Sequence, residues 1–94
     1  MIKINKNISW TVFNGETTII NLYVQKSIVL DTAGSEIWNE LLTSLSLETA
    51  IDNLCKKYRD DNREVIIKDV RHIYELLVAN NIIYAEDSGM KGDV

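Results

Sequence analysis

The side chains able to do covalent or acid–base chemistry are few in this 94-residue chain and poorly spaced for it. There is one cysteine, Cys55, and one histidine, His72. A cysteine nucleophile needs a base within hydrogen-bond reach. Cys55 lies in a helical pattern, Leu54-Cys55-Lys56, with the histidine far along the chain, and reads as a small half-buried thiol. Alone it makes no internal disulfide, which fits a reduced, cytoplasmic setting. A metal centre needs several converging Cys, His or carboxylate ligands, and one His without a Cys pair does not supply them. His72 reads as a surface residue. Glu36 and Glu40, like Asp60 and Glu64, are one helical turn apart, a spacing routine on solvated faces. No glycine-rich phosphate loop or nucleophile elbow is present, and no cofactor is implied. The chemistry left is that of the main chain. Ser27-Ile28-Val29-Leu30 reads as a short apolar strand at a sheet edge, where a row of free N–H and C=O groups can take up another chain.

The elements that position this edge follow from the pattern of apolar residues. Residues 8–13 alternate and are rich in β-branched and aromatic types, as in a strand. Asn14-Gly15 is a hairpin signal, since both residues tolerate positive φ. Residues 17–22 form a second strand, residues 23–26 turn the chain, and residues 27–30 form a third. The period then changes. Asp31 or Thr32 caps a first helix whose apolar face is Ile37, Trp38, Leu41, Leu42 and Leu45. Gly34, near its start, leaves room for the backbone to approach the sheet. Ser46 caps a second helix with the stripe Leu47, Ala50, Ile51, Leu54 and Tyr58. Asn62 caps a third over residues 63–79, with a main stripe of Ile66, Val70, Ile73 and Leu77. Ile67, Tyr74 and Val78 widen that stripe on one side and Leu76 lies on the other, an arc broader than one packing partner requires. Asn80-Asn81 ends this helix, and Ile82-Ile83-Tyr84 adds a short apolar segment. Three strands and then three helices, the first two joined by a short turn, make an α+β, winged helix-turn-helix-like domain over residues 1–84. Residues 85–94 read as a disordered tail.

Composition excludes several function classes. Hydrophobic residues make up 46% and charged residues 26%, as in ordinary globular proteins. The net charge of −4 argues against nucleic-acid binding, which relies on Lys and Arg to neutralise phosphates. No apolar run approaches the ~20 residues of a membrane span, so no membrane association is expected.

Gly15, Ile19 to Leu22, Ile28-Val29-Leu30-Asp31, Gly34, Glu36-Ile37-Trp38 and Leu41-Leu42 together resemble the pattern of the PqqD family. So does the later series Ser46, Glu48, Ala50-Ile51, Leu54, Tyr58, Asp69-Val70, Ile73, Leu77 and Asn81-Ile82-Ile83. The likeness covers residues 8–84, with 30–41 its most specific part. Asp31 and Asn81 stand where the family often has Asn and Gly, and each keeps the local role. The resemblance implies a non-catalytic recognition element for ribosomally made peptides. Such an element binds a precursor's leader segment and delivers the core to a modifying enzyme or a leader peptidase. It further implies that the leader pairs with the third strand by β-augmentation and places side chains between that strand and the third helix. On this chain the implied peptide site is Lys26, Ser27, Ile28, Val29 and Leu30 with Ile67, Lys68, Arg71 and Tyr74. Lasso-peptide systems, with a separate leader peptidase, are one home; quinone-cofactor and radical-enzyme systems are others.

Each of these residues also has a plainer role. Core packing accounts for Ile28 and Leu30, and for Ile67 and Tyr74; Arg71, Lys26 and Lys68 serve equally as solvated cations. Trp38 belongs to the core and Trp10, on the first strand, is expected half-buried. A monomer is expected in preference to a dimer. The competing function is a winged-helix DNA-binding regulator. It requires a basic third helix, whereas Glu64, Asp69 and Glu75 nearly balance Arg63, Lys68 and Arg71. A small enzyme or cofactor carrier would need a polar constellation that is not present.

Overall fold

The computed structural model describes residues 2–59 and 62–84; the expected tail and Asp60 lie outside them. Five strands and three helices follow in the order β1 (Lys3–Ile4), β2 (Ile8–Phe13), β3 (Glu16–Asn21), β4 (Lys26–Leu30), α1 (Thr32–Ser44), α2 (Leu47–Lys57), α3 (Arg63–Ala79) and β5 (Ile83–Tyr84). The architecture is α+β. An antiparallel meander, β2-β3-β4, is followed by the three helices. A second sheet is absent from the sequence reading: β1 pairs with β5 and ties the two ends of the domain together.

The local chemistry is what the residues call for. Asn14 and Gly15 take positive φ, 53° and 81°, in the two-residue hairpin. Asp31 caps α1, its Oδ1 accepting from the Gly34 N–H at 2.8 Å. Ser46 and Asn62 cap α2 and α3. Only Leu45, at φ 53°, and Ser46 separate α1 from α2. At the end of α3 the Ile82 N–H donates to Leu77 O and the Asn81 N–H to Val78 O. Asn81 has φ 58°. These are the paired bonds of a Schellman ending, with Asn in the place glycine usually holds.

The core lies between the meander and the helices. Trp38, Ile19, Leu30, Leu41, Val70, Leu77 and Ile83 are almost wholly buried, and Ile2 and Ile82 close it from the termini. Trp10 remains 42% exposed and meets Trp38 edge-on, ring centroids 5.4 Å apart. Buried polar groups are linked across elements: Thr17 Oγ1 of β3 donates to Ser35 Oγ of α1 at 2.7 Å, and Ser35 Oγ donates to Leu30 O. Cys55 is half-buried and His72 exposed.

Tyr58 departs from the sequence reading. It caps the C-terminus of α2 and is exposed instead of completing the buried stripe. Its hydroxyl donates to Glu36 on α1, and Lys57 pairs with the other oxygen of the same carboxylate. An amphipathic phenol at a helix end gains more from a carboxylate at the water boundary than from a dry stripe.

The backbone at Gly34 is closely approached from three sides. A Cβ there would lie 3.2 Å from Ile73 Cδ1, 3.2 Å from Asp31 Oδ1 and 3.3 Å from Leu30 Cβ. Gly34→Val should therefore destabilise the fold by about 1–3 kcal/mol through overpacking, read as a lower urea midpoint with an unchanged slope. Equal stability would mean that Ile73 yields freely.

The Glu36 carboxyl is held below its ordinary value by hydrogen bonds from Lys57 and then Tyr58, which outweigh its desolvation. A lowered folded value stabilises above the unfolded carboxylate value, and the contribution is lost as pH falls through the folded one. Glu36→Gln should lower the urea midpoint at neutral pH and cease to matter in strong acid. An equal loss at both would assign Glu36 a packing role instead.

Candidate functional site

Which main-chain groups of the meander face outward follows from its register. In an antiparallel pair, opposed residues alternate between exchanging both main-chain hydrogen bonds and exchanging none. Leu22 N donates to Asn7 O at 2.8 Å, and a two-residue hairpin closes on the hydrogen-bonded pair Phe13–Glu16. Both observations give the same phase. Glu16, Thr18 and Ile20 turn their main-chain groups to β2, so Thr17, Ile19 and Asn21 turn theirs to β4. The partners of those three are Leu30, Ile28 and Lys26. The groups left facing away from the sheet are therefore the N–H and C=O of Ser27 and Val29. Val29 is 63% exposed, while Leu30 is buried and Ile28 half-buried towards the core.

One helix runs beside this edge. Asn21, opposite Lys26, donates through Nδ2 to Asn80 O and Asn81 O at 3.3 and 3.4 Å. That places the end of α3 at the start of β4. The Gly34 crossing places Ile73 beside Leu30, at the far end of β4. From Ile73 to Asn80 a helix advances about 10 Å, and from Leu30 to Lys26 a strand advances about 13 Å. The second half of α3 is thus anchored near both ends of β4, at Ile73 by the Leu30 corner and at Asn80 by the Asn21–Lys26 pair. Asp69, Ile73, Leu76 and Asn80 share one face of α3 at helical spacing, and Ile73 on that face reaches the Leu30 corner. Ile73 and Leu76 are half-buried and Asp69 is exposed.

The structure brings Lys26, Ser27, Ile28, Val29 and Leu30 together on one edge, as the sequence reading has it. It does not bring Ile67, Lys68, Arg71 and Tyr74 to that edge. Ile67 and Arg71 line a hollow of about 350 Å³ against Glu48, Ile51 and Asp52 of α2. Tyr74, on the same flank, is half-buried against the core, and Lys68 stands on the outward face with His72 and Glu75. The reason is rotational. α3 lies between α2 and β4, and both of its flanks are apolar, so the wider flank marks α2 and the narrower one, with Leu76, marks the strand.

A second hollow, of about 280 Å³, opens where the starts of α1 and α3 meet the end of α2. Its floor is Ile37, Leu54, Ile66 and Val70, with Glu36 and Asp69 at the rim. Asp69 lies one turn of α3 before Ile73, so this hollow adjoins the Leu30 end of the edge. Among the described residues no group of three His, Cys, Asp or Glu side chains could hold a metal ion. No helix among them is long and apolar enough to cross a membrane. What the arrangement can do chemically is form main-chain hydrogen bonds in register with an extended chain, beside a row of side chains able to sort what that chain carries.

No curated protein matches the chain. Among solved structures it is similar to one described as "TbiB1 in Complex with the TbiA(beta) Leader Peptide", with a TM-score of 0.76 and 22% sequence identity over 96% of this chain and 99% of that one. At that identity the likeness establishes the shared fold. The family model for coenzyme PQQ synthesis protein D (PqqD) matches residues 11–83, from β2 through α3 to β5. Matched over most of its length, the chain belongs to the PqqD family.

Proposed function

We propose that this protein binds the leader segment of a ribosomally synthesised precursor peptide, taking it up as an added strand on β4, and presents the precursor to a modifying enzyme or leader peptidase. The observation that carries this reading is the pair of unpaired main-chain positions, Ser27 and Val29, on an edge with α3 anchored near both its ends. Family membership supports it, as does the leader peptide held by the solved relative of the same fold. Main-chain bonds to Ser27 and Val29 would supply affinity indifferent to sequence. Ile73 and Leu76 would read apolar leader side chains, with Asp69 at one end of the row and Lys26 at the other. The protein needs no catalytic group for this role. Holding the leader raises the effective concentration of the core segment at the partner enzyme. Lasso-peptide maturation, with its separate leader peptidase, is one setting for this role; quinone-cofactor and radical-enzyme systems are others.

A DNA-binding role finds no support in α3. Its exposed residues mix Lys68, Arg71 and His72 with Asp69 and Glu75, short of the single-sign surface that phosphate binding requires.

The test is a titration of a fluorescein-labelled leader peptide, taken from the precursor encoded with this protein, against wild type and three variants. Val29→Pro removes an outward N–H while sparing the β3 ladder, and should weaken binding about tenfold or more. Leu76→Ala should cost a similar factor, and Arg71→Ala should change nothing. Unchanged affinity for Val29→Pro would place the peptide elsewhere. Loss with Arg71→Ala but not Leu76→Ala would move it to the α2 side of α3.

A further inference from the structure

The meander has a second edge, and it is the less guarded of the two. By the same alternation that leaves Ser27 and Val29 open on β4, the main-chain groups of Ile8, Trp10 and Val12 face outward on β2. Natural edge strands are blunted by charge, proline or a bulge. β2, Ile-Ser-Trp-Thr-Val-Phe, has no charged residue and no proline, and pairs with β3 in unbroken register. Its exposed apolar surface is also large: Trp10, Val12 and Phe13 are 42%, 55% and 75% exposed.

In place of the monomer expected from the sequence, the geometry points to a second copy of this chain as the occupant, paired antiparallel through β2 about a two-fold axis at Trp10. Three features favour this partner. The open positions are symmetric about Trp10, so one register satisfies all of them: Trp10 opposite its counterpart, and Ile8 opposite Val12 twice. A shift of two residues either way leaves an open position unpaired. Secondly, the strand carries no charge, so two copies that each bear −4 meet where repulsion is least. Thirdly, the ends are complementary. In this register Lys6 of one copy comes beside the Asn14-Gly15 turn of the other, next to Glu16, and both charged residues are exposed. Opposite charges therefore meet at both ends of the seam. The paired Trp10 rings would form a cross-strand aromatic contact on the helix side of the sheet. The product is a continuous six-stranded sheet with a β4 edge free at each end. This pairing stands independently of what β4 binds.

Sedimentation equilibrium of the full chain tests it. Wild type should show a reversible monomer–dimer equilibrium with a dissociation constant of the order of 100 µM, as suits a small interface. Val12→Lys, at a position already solvent-exposed, should weaken the dimer at least about tenfold, with circular dichroism unchanged. Lys6→Glu and Glu16→Lys should each weaken it, and the double variant should restore it. Val29→Pro should leave it intact. A monomer at every concentration overturns the proposal. So does a dimer indifferent to Val12→Lys or to the charge exchange, and so does one abolished by Val29→Pro, which would be paired through β4.

Discussion

The crossing at Gly34 is the constraint on which the rest of the molecule depends. β4 passes into α1 with a single residue, Asp31, between them, and that residue is the helix cap. No loop absorbs error in the direction of α1, so the helix axis is set by the strand. Gly34 then admits Ile73 of α3 to within ordinary contact of the same corner. Strand, first helix and third helix meet at one point because one residue there has no side chain. The Thr17–Ser35–Leu30 hydrogen bonds lock the corner from inside the core, where an unpaired hydroxyl would be costly.

The other end of the recess is fixed by side-chain amides. Asn5 Nδ2 donates to Asn81 O at 2.7 Å, and Asn21 reaches the same turn and Asn80 O. Asn21 Oδ1 in addition accepts from Tyr23 N at the head of the β3–β4 turn. These bonds satisfy carbonyls left open where α3 ends, and they hold the β3–β4 turn against that end. α3 is therefore pinned beside β4 at both ends, by van der Waals contact at Ile73 and by hydrogen bonds at Asn80 and Asn81. A wall held in place before a ligand arrives spares the ligand the cost of ordering it.

Much of this was readable from the chain, and the misses have physical causes. The change of period at Asp31, the Asn14-Gly15 hairpin and the caps Asp31, Ser46 and Asn62 are local signals, and each element lies within a residue or two of its expected place. The β1–β5 ribbon was not legible. Two strands of two residues carry no period, and their pairing joins residues about 80 apart in the chain. Tyr58 matched the helical stripe, but its hydroxyl favoured the Glu36 carboxylate on a neighbouring helix, a partner visible only in three dimensions. On the site, β4 was legible because an apolar strand before a cap is a local pattern. The flank of α3 was not, because Ile67, Tyr74 and Val78 on one side and Leu76 on the other are equally credible core. Only the rotation of α3, set by the Gly34 crossing, separates them.

The two edges of one small sheet then differ in kind. The hydrogen-bonding groups are alike on both, so main-chain chemistry alone cannot tell the edges apart. What differs is the ground beside them. β4 has α3 anchored near both its ends and carries Lys26 at its start. A chain added there, as proposed, would have to fit a wall as well as a ladder, and side chains on that wall would decide which chain stays. β2 has no helix alongside; it projects Trp10 and Val12 past the cover that α1 gives to β3. An edge without a wall discriminates weakly and is best matched by a strand that repeats its own spacing. Selective and self-complementary pairing can thus coexist on three strands, because the middle strand, β3, turns alternate residues to each side and keeps the two ladders separate.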